Sequence, residues 1–147
     1  MSDNRLTPHF TVDDFTATTH ADLQEENRMV TTEERAKLAE CAELAEVFEI
    51  VLGCDLDIHS GRRFAKLNRR VGSSSKSQHL LNEAFDFSPK GPDTEASILS
   101  AWHKLIDAAK AGKFKFGQLI VETQAGGREG RGFWIHASLG PPYRDPA

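Results

Sequence analysis

Two imidazoles and one carboxylate could do chemistry together in this chain: His79, Asp86 and His136. They are the ligand types of a hydrolytic zinc site, in which three side chains hold the ion and a fourth position stays open for water. With six histidines and 22 acidic residues in the chain, their spacing alone carries little weight. Their surroundings carry more. Asp86 interrupts the apolar run Ala84-Phe85-Asp86-Phe87, and His136 the run Phe133-Trp134-Ile135-His136-Ala137. A carboxylate or imidazole on the inward face of a strand must be paired, hydrogen-bonded or metal-bound, because burying it alone is costly. The plainer reading is that Asp86 pairs with Arg63 or with one of the histidines.

The elements that must position these residues can be read in order. Thr11 with Asp14 three residues on makes a capping box for a short helix, with Phe10 and Phe15 free to pack on a core. Residues 16–30 are polar and follow neither the helical nor the strand period, so they read as a loop arm that covers the domain or borders a cleft. Thr31 and Glu34 form a second capping box. Behind it Leu38, Cys41, Ala42, Ala45, Phe48 and Leu52 recur at helical spacing, and Gly53 stops the run. The acids Glu40, Glu43, Glu46 and Glu49 read as the wet face of that helix.

Residues 55–59 alternate polar and apolar, as a half-buried strand does. Ser60-Gly61-Arg62-Arg63 leads into a short helical piece, 64–68, and then a loop over 73–77. Residues 84–88 read as a strand. A second long helix runs from about Thr94 to Ala111, with Ile98, Trp102, Leu105 and Ala109 on one face. Residues 116–122 and 132–138 are the remaining strands, joined by a glycine-rich loop, and 140–147 form an irregular tail. Helices and antiparallel strands are segregated rather than alternating. That pattern predicts one α+β domain over residues 1–147, a small antiparallel sheet flanked by helices.

Composition narrows the function. The chain is 39% hydrophobic and 27% charged, with net charge -4 and pI near 5.8, which disfavours nucleic acid as a partner. Arg62, Arg63, Lys66, Arg69 and Arg70 do cluster, and most of that cluster reads as a solvated helix face. The two cysteines, Cys41 and Cys54, fit neither a disulfide scaffold nor a CxxC metal site. No apolar run is long enough to span a membrane, and the polar, acidic start shows no Sec signal. The expectation is synthesis in the cytoplasm, followed by release by another route.

Ser77-x-His79-x-x-Asn82-x-Ala84-x-Asp86 resembles the Ser-x-His-x-x-Gly-x-Ala-x-Asp motif of the zinc D-alanyl-D-alanine carboxypeptidases and related endopeptidases. Ser60-Gly61-Arg62-Arg63 is similar to that family's Ser-Gly-Tyr-Arg, and Trp134-Ile135-His136 to its terminal ligand strand. Pro8 to Thr11, Asn68 and Leu119 to Glu122 resemble features of a small branch found in phages and prophages. The resemblance implies the fold shared with the hedgehog signalling domain and one zinc ion on His79, Asp86 and His136. It also implies that Arg63 and Ser77 hold the substrate, the stem peptide of peptidoglycan. The reaction implied is hydrolysis by a metal-activated water, as a D,D-carboxypeptidase or an endolysin-type endopeptidase that reaches the wall after host-cell release or virion delivery.

Two positions depart from the family pattern. Asn82 replaces a glycine, and Asn tolerates a left-handed backbone better than most residues. Phe133 stands where better-known members carry the general base, a glutamate three residues before the last histidine. If the two C-terminal strands pair as an antiparallel hairpin, one register puts Glu122 diagonally from His136 on the same face, and a one-residue slip turns it away. Glu122 is therefore the first candidate for the base, with Glu129 second. Phe133 also supports a rival reading: a catalytically silent, zinc-bound module that binds wall peptide or serves a structural role in a phage particle.

Overall fold

A computed structural model of the chain describes residues 4–72, 79, 82–123 and 132–139. Its longest element follows from the Thr31 capping box. The Thr31 hydroxyl accepts from the Glu34 amide at 3.1 Å, and the Glu34 carboxylate accepts from the Thr31 amide at 2.9 Å. Two otherwise orphaned helix donors are satisfied in this way. Helix α3, Thr32–Leu52, then buries Leu38, Cys41, Ala42, Leu44, Ala45 and Phe48, and ends where Gly53 turns left-handed at φ 70°.

Ahead of it come two short strands, β1 (Arg5–Thr7) and β2 (Phe10–Thr11), paired antiparallel. Helix α1, Val12–Thr16, starts from the Thr11–Asp14 capping box. The predicted loop over 16–30 needs correction. It holds a 3-10 turn, Ala21–Leu23, and one helical turn, α2, Gln24–Asn27, and both Leu23 and Asn27 are buried.

The main sheet is antiparallel throughout, in the order β3-β4-β6-β5. Its strands are β3 (Leu56–Ser60), β4 (Ala84–Pro89), β5 (Leu119–Thr123) and β6 (Phe133–Ser138). Helix α4, Ala65–Arg70, follows β3, and α5, Glu95–Lys110, follows β4. The fold is thus the α+β arrangement that the pattern predicts. The fifth strand begins three residues later than expected, at Leu119, although Gly117 and Gln118 still bond to Ser138 through the backbone.

Strand alternation assigns the two faces. Phe85 pairs with Ala137 and Phe87 with Ile135, while Leu119 and Val121 pair with the same two residues of β6 from the other side. This is the face covered by α3 and α5, where Phe48 lies 5.3 Å from Phe87 and 5.0 Å from Phe114 between ring centroids. Burying one such ring fully contributes about 1.5–3 kcal/mol over leaving it exposed. The opposite face carries Asp86, which pairs with His136, which in turn pairs with Ile120. Packing of the core face therefore decides which residues face the cleft.

Candidate metal centre

Asp86 and His136 are cross-strand partners, and the Asp86 carboxylate meets the His136 Nδ1 at 2.9 Å. His79 is brought in from the turn before β4. Its Nε2 lies 3.5 Å from the same Asp86 oxygen, and its ring centroid lies 5.2 Å from that of His136. The three potential ligand atoms all fall within 4.8 Å of one another. Asp86 therefore pairs with both histidines. Burial would push its carboxyl up, but the hydrogen bonds and charges of His136 and His79 outweigh that and hold it below the usual carboxylate range.

The surroundings of His79 test whether this set suits a cation. Its Nδ1 lies 2.6 Å from the Gly61 carbonyl oxygen, which can only accept, so Nδ1 carries the proton. That leaves Nε2 as the ring nitrogen turned towards the carboxylate oxygen, 3.5 Å away, and a divalent cation between the two would take the place of the proton they share. A histidine ligand oriented by a backbone carbonyl on its other nitrogen is the usual outer-shell pattern of metal sites. The donor set, two nitrogens and one carboxylate, fits zinc.

The Gly61 carbonyl is held firmly. A Cβ at residue 61 would sit 2.5 Å from the Phe15 carbonyl oxygen, so only glycine fits the close approach. The next amide, Arg62 N–H, donates to that oxygen at 2.7 Å. Asn82 has φ 61°, so the left-handed turn between His79 and β4 forms on asparagine, as its chemistry allows.

A cleft of about 370 Å³ opens beside Asp86, lined among others by His20, His59, Arg63, Arg70 and Trp134. Part of its wall, residues 17–20, comes from the arm. Burial lowers the Arg63 pKa, while the charges of Asp86 and Glu122 counter that, which puts this guanidinium in the field of both acids. Glu122 pairs with Trp134 in the register that leaves it diagonal to His136 on the same face. The Trp134 indole N–H donates to its Oε1 at 3.1 Å. Ser77 and Glu129 lie outside the described residues, as does the 140–147 tail.

Several side chains depart from the expected surface roles. Arg62 does not belong to a solvated face: it is 8% exposed and pairs with Glu34 at 2.9 Å. Glu46 and Glu49 are not wet either. Their carboxylates lie 2.8 and 3.0 Å from the His9 Nδ1, tying the β1–β2 hairpin to α3. Trp134, read in the sequence only as part of the strand that carries His136, also holds Glu122 through its indole N–H. Among the described residues no helix is long and apolar enough to cross a membrane.

A family model described as peptidase M15 matches residues 8–120. The matched segment includes Gly61, Arg63, His79 and Asp86 and stops before His136, which the sheet register supplies. No curated protein matches the chain.

Proposed function

We propose that this chain, which belongs to the peptidase M15 family, hydrolyses bonds of the peptidoglycan stem peptide with zinc held by His79, Asp86 and His136. Peptidases of this family depend on zinc. The observation that carries the reading is the meeting of two imidazoles and one carboxylate at the side of a cleft, with one imidazole locked by a backbone carbonyl. Bound there, the ion would polarise the scissile carbonyl and lower the pKa of its water towards neutrality.

The protein's own groups supply the rest. Gly61 keeps the His79 proton on Nδ1, so that Nε2 stays available as a ligand. Glu122 accepts the proton of the attacking water and passes it to the leaving amine, as a general base does. Trp134 holds one oxygen of Glu122 by its indole N–H, which leaves the other for the proton. Arg63 presents its guanidinium fork to a peptide carboxylate or carbonyl. Ser77 adds a hydroxyl donor, and Glu129 is the alternative base.

Within this reading the whole chain acts as one peptidase domain, of the D,D-carboxypeptidase or endolysin endopeptidase type, in the phage-associated branch, reaching the wall by cell release or virion delivery. The silent-module reading rests on Phe133. That side chain packs against the hydrophobic core, on the strand face away from the cleft, so its identity has little bearing on an acid supplied by β5.

One experiment separates the readings. The full chain is stripped with chelator and reloaded with zinc, and zinc content is measured together with turbidity loss of a cell-wall suspension. One zinc per chain with chelator-reversible lysis is expected. One zinc without hydrolysis of any wall peptide favours the silent module, and failure to take up zinc refutes the site.

A further inference from the structure

We propose that Arg62, with Asn27 and Asn82, is a buried clasp that positions His79 for metal binding, an inference that rests on the zinc reading of the site. The guanidinium is satisfied by groups from three parts of the chain. Its Nε donates to the Asn27 carbonyl at 2.9 Å, and its Nη1 to the Asn82 Oδ1 at 3.1 Å. Nη1 also lies 2.9 Å from the Glu34 carboxylate in the first turn of α3, which balances the buried charge. Arg62 thereby joins the end of the arm, the start of the main helix and the turn that follows His79.

The backbone of the same residue is gripped as tightly. The Asn27 side-chain amide donates to the Arg62 carbonyl at 2.9 Å and to the Thr16 carbonyl at 2.7 Å, and its oxygen accepts from the Phe64 amide at 3.0 Å. Asn27 is fully buried with every polar atom of its side chain engaged. Such a satisfied network fixes a single arrangement, since a partly broken one leaves buried polar groups unpaired.

What it fixes is the cradle of His79. Residues 61–63 contact that histidine on two sides: the Gly61 carbonyl meets Nδ1 at 2.6 Å, and the Arg63 amide donates to the His79 carbonyl at 3.1 Å. The bond from Arg62 to Asn82 closes a ring around it, since Asn82 sits three residues beyond His79. Arg62 and Arg63 divide the work. The first points into the interior and holds the ligand's cradle, while the second lines the cleft. A lysine cannot replace Arg62, because an ammonium lacks the planar fork that reaches these separate acceptors.

The test uses the full chain and three variants: Arg62→Lys, Asn82→Gly and Thr94→Ala. Glycine keeps the left-handed backbone at position 82 and removes only the acceptor. Thr94 caps α5 away from the site and serves as a control for general destabilisation. Zinc affinity is measured by chelator competition, apo-protein melting in parallel, and the His79 tautomer by nitrogen NMR of the zinc-free protein.

Arg62→Lys should weaken zinc binding about tenfold to a hundredfold, the usual effect of losing an outer-shell partner, and erode the Nδ1–H signature. Asn82→Gly, which removes one of the clasp's bonds, should weaken it by about tenfold. Thr94→Ala should lower the melting temperature with zinc affinity unchanged. Wild-type affinity in both site variants, or equal weakening in Thr94→Ala, overturns the clasp while leaving the zinc site standing. Should Arg62→Lys fail to fold, Asn82→Gly decides the matter. A wild-type chain that binds no zinc overturns the site reading and the clasp with it.

Discussion

Glu122→Gln isolates proton transfer from every other part of the proposed reaction. The side chain keeps its shape, and its amide oxygen can still accept from the Trp134 indole, so the bond at 3.1 Å survives. The register that sets Glu122 opposite Trp134 and diagonal to His136 is a backbone property and is untouched. What disappears is the capacity to take a proton, together with one of the two negative charges felt by Arg63. General-base catalysis by a positioned side chain contributes about 10²–10⁴-fold, which corresponds to about 2.7–5.5 kcal/mol in the barrier. The variant should therefore lose about 10²–10⁴-fold in kcat on a soluble stem peptide, with zinc content unchanged and KM altered little. Steady-state kinetics with zinc quantified in the same samples reads all three. A kcat within about threefold of wild type, with zinc in place, would show that another group takes the proton. Loss of zinc along with activity would show that Glu122 acts through the metal centre instead.

Three further outcomes are expected. Gly61→Ala forces a methyl group to within 2.5 Å of the Phe15 carbonyl oxygen, and because backbone must move to relieve it, a cost of about 1–3 kcal/mol in unfolding free energy is expected, together with weaker zinc binding; full stability in denaturant titration contradicts the close approach. The pKa of His9 is raised by its hydrogen bond to and the charge of Glu46, so the stability it lends the β1–β2 hairpin is present below its unfolded value and lost as pH rises through its folded one. Burial pushes Glu46 up, but its hydrogen bonds, including those from His9, hold it low overall, so its share is lost at the acid end as pH falls through its folded pKa; the melting difference between wild type and His9→Gln should peak between those limits and shrink in alkali, and a difference independent of pH refutes the ion pair. Burial, with the charges of Glu40 and Glu83 behind it, pushes the Cys41 thiol far up, whereas Cys54 is only partly covered; a thiol reagent should label one cysteine in the native protein and two after unfolding, and native labelling of Cys41 would contradict its burial.

Sequence alone made the centre visible because its residues break a pattern. Asp86 and His136 are polar in strands that are otherwise apolar, and strand alternation puts both on one face without any knowledge of pairing. The capping boxes at Thr11 and Thr31 were legible for a similar reason, since both partners sit within four residues. The arm was not. Asn27 is buried by bonds to Thr16 and Arg62, 11 and 35 residues away, and no local periodicity announces such partners. Composition and periodicity could not tell Arg62 from Arg63 either, and only the family resemblance singled out Arg63, because neighbours in an irregular segment are turned inward or outward only by what packs around them. His9 illustrates the same limit: its two carboxylates lie far along the chain, on a helix whose acids had every reason to be exposed.

The fate of the base position follows from parity on one strand. Ile135 and Ala137 are fully buried against the helices, which fixes the odd-numbered residues of β6 on the core face. Phe133 shares that parity and packs against the core, so a carboxylate there would have to be desolvated among apolar side chains unless the strand end were rebuilt. The even-numbered residues Trp134 and His136 lie on the opposite face, the one that carries Asp86, and their partners Glu122 and Ile120 must lie there too. A slip of one residue between β5 and β6 would send Val121 out of the core and Glu122 into it, at a cost on both counts. The register that packs the core is therefore the register that sets an acid beside His136. An aromatic at 133 and a glutamate at 122 are consequences of the same alternation, and substitution of Phe133 by Glu should destabilise the protein without restoring activity to Glu122→Gln.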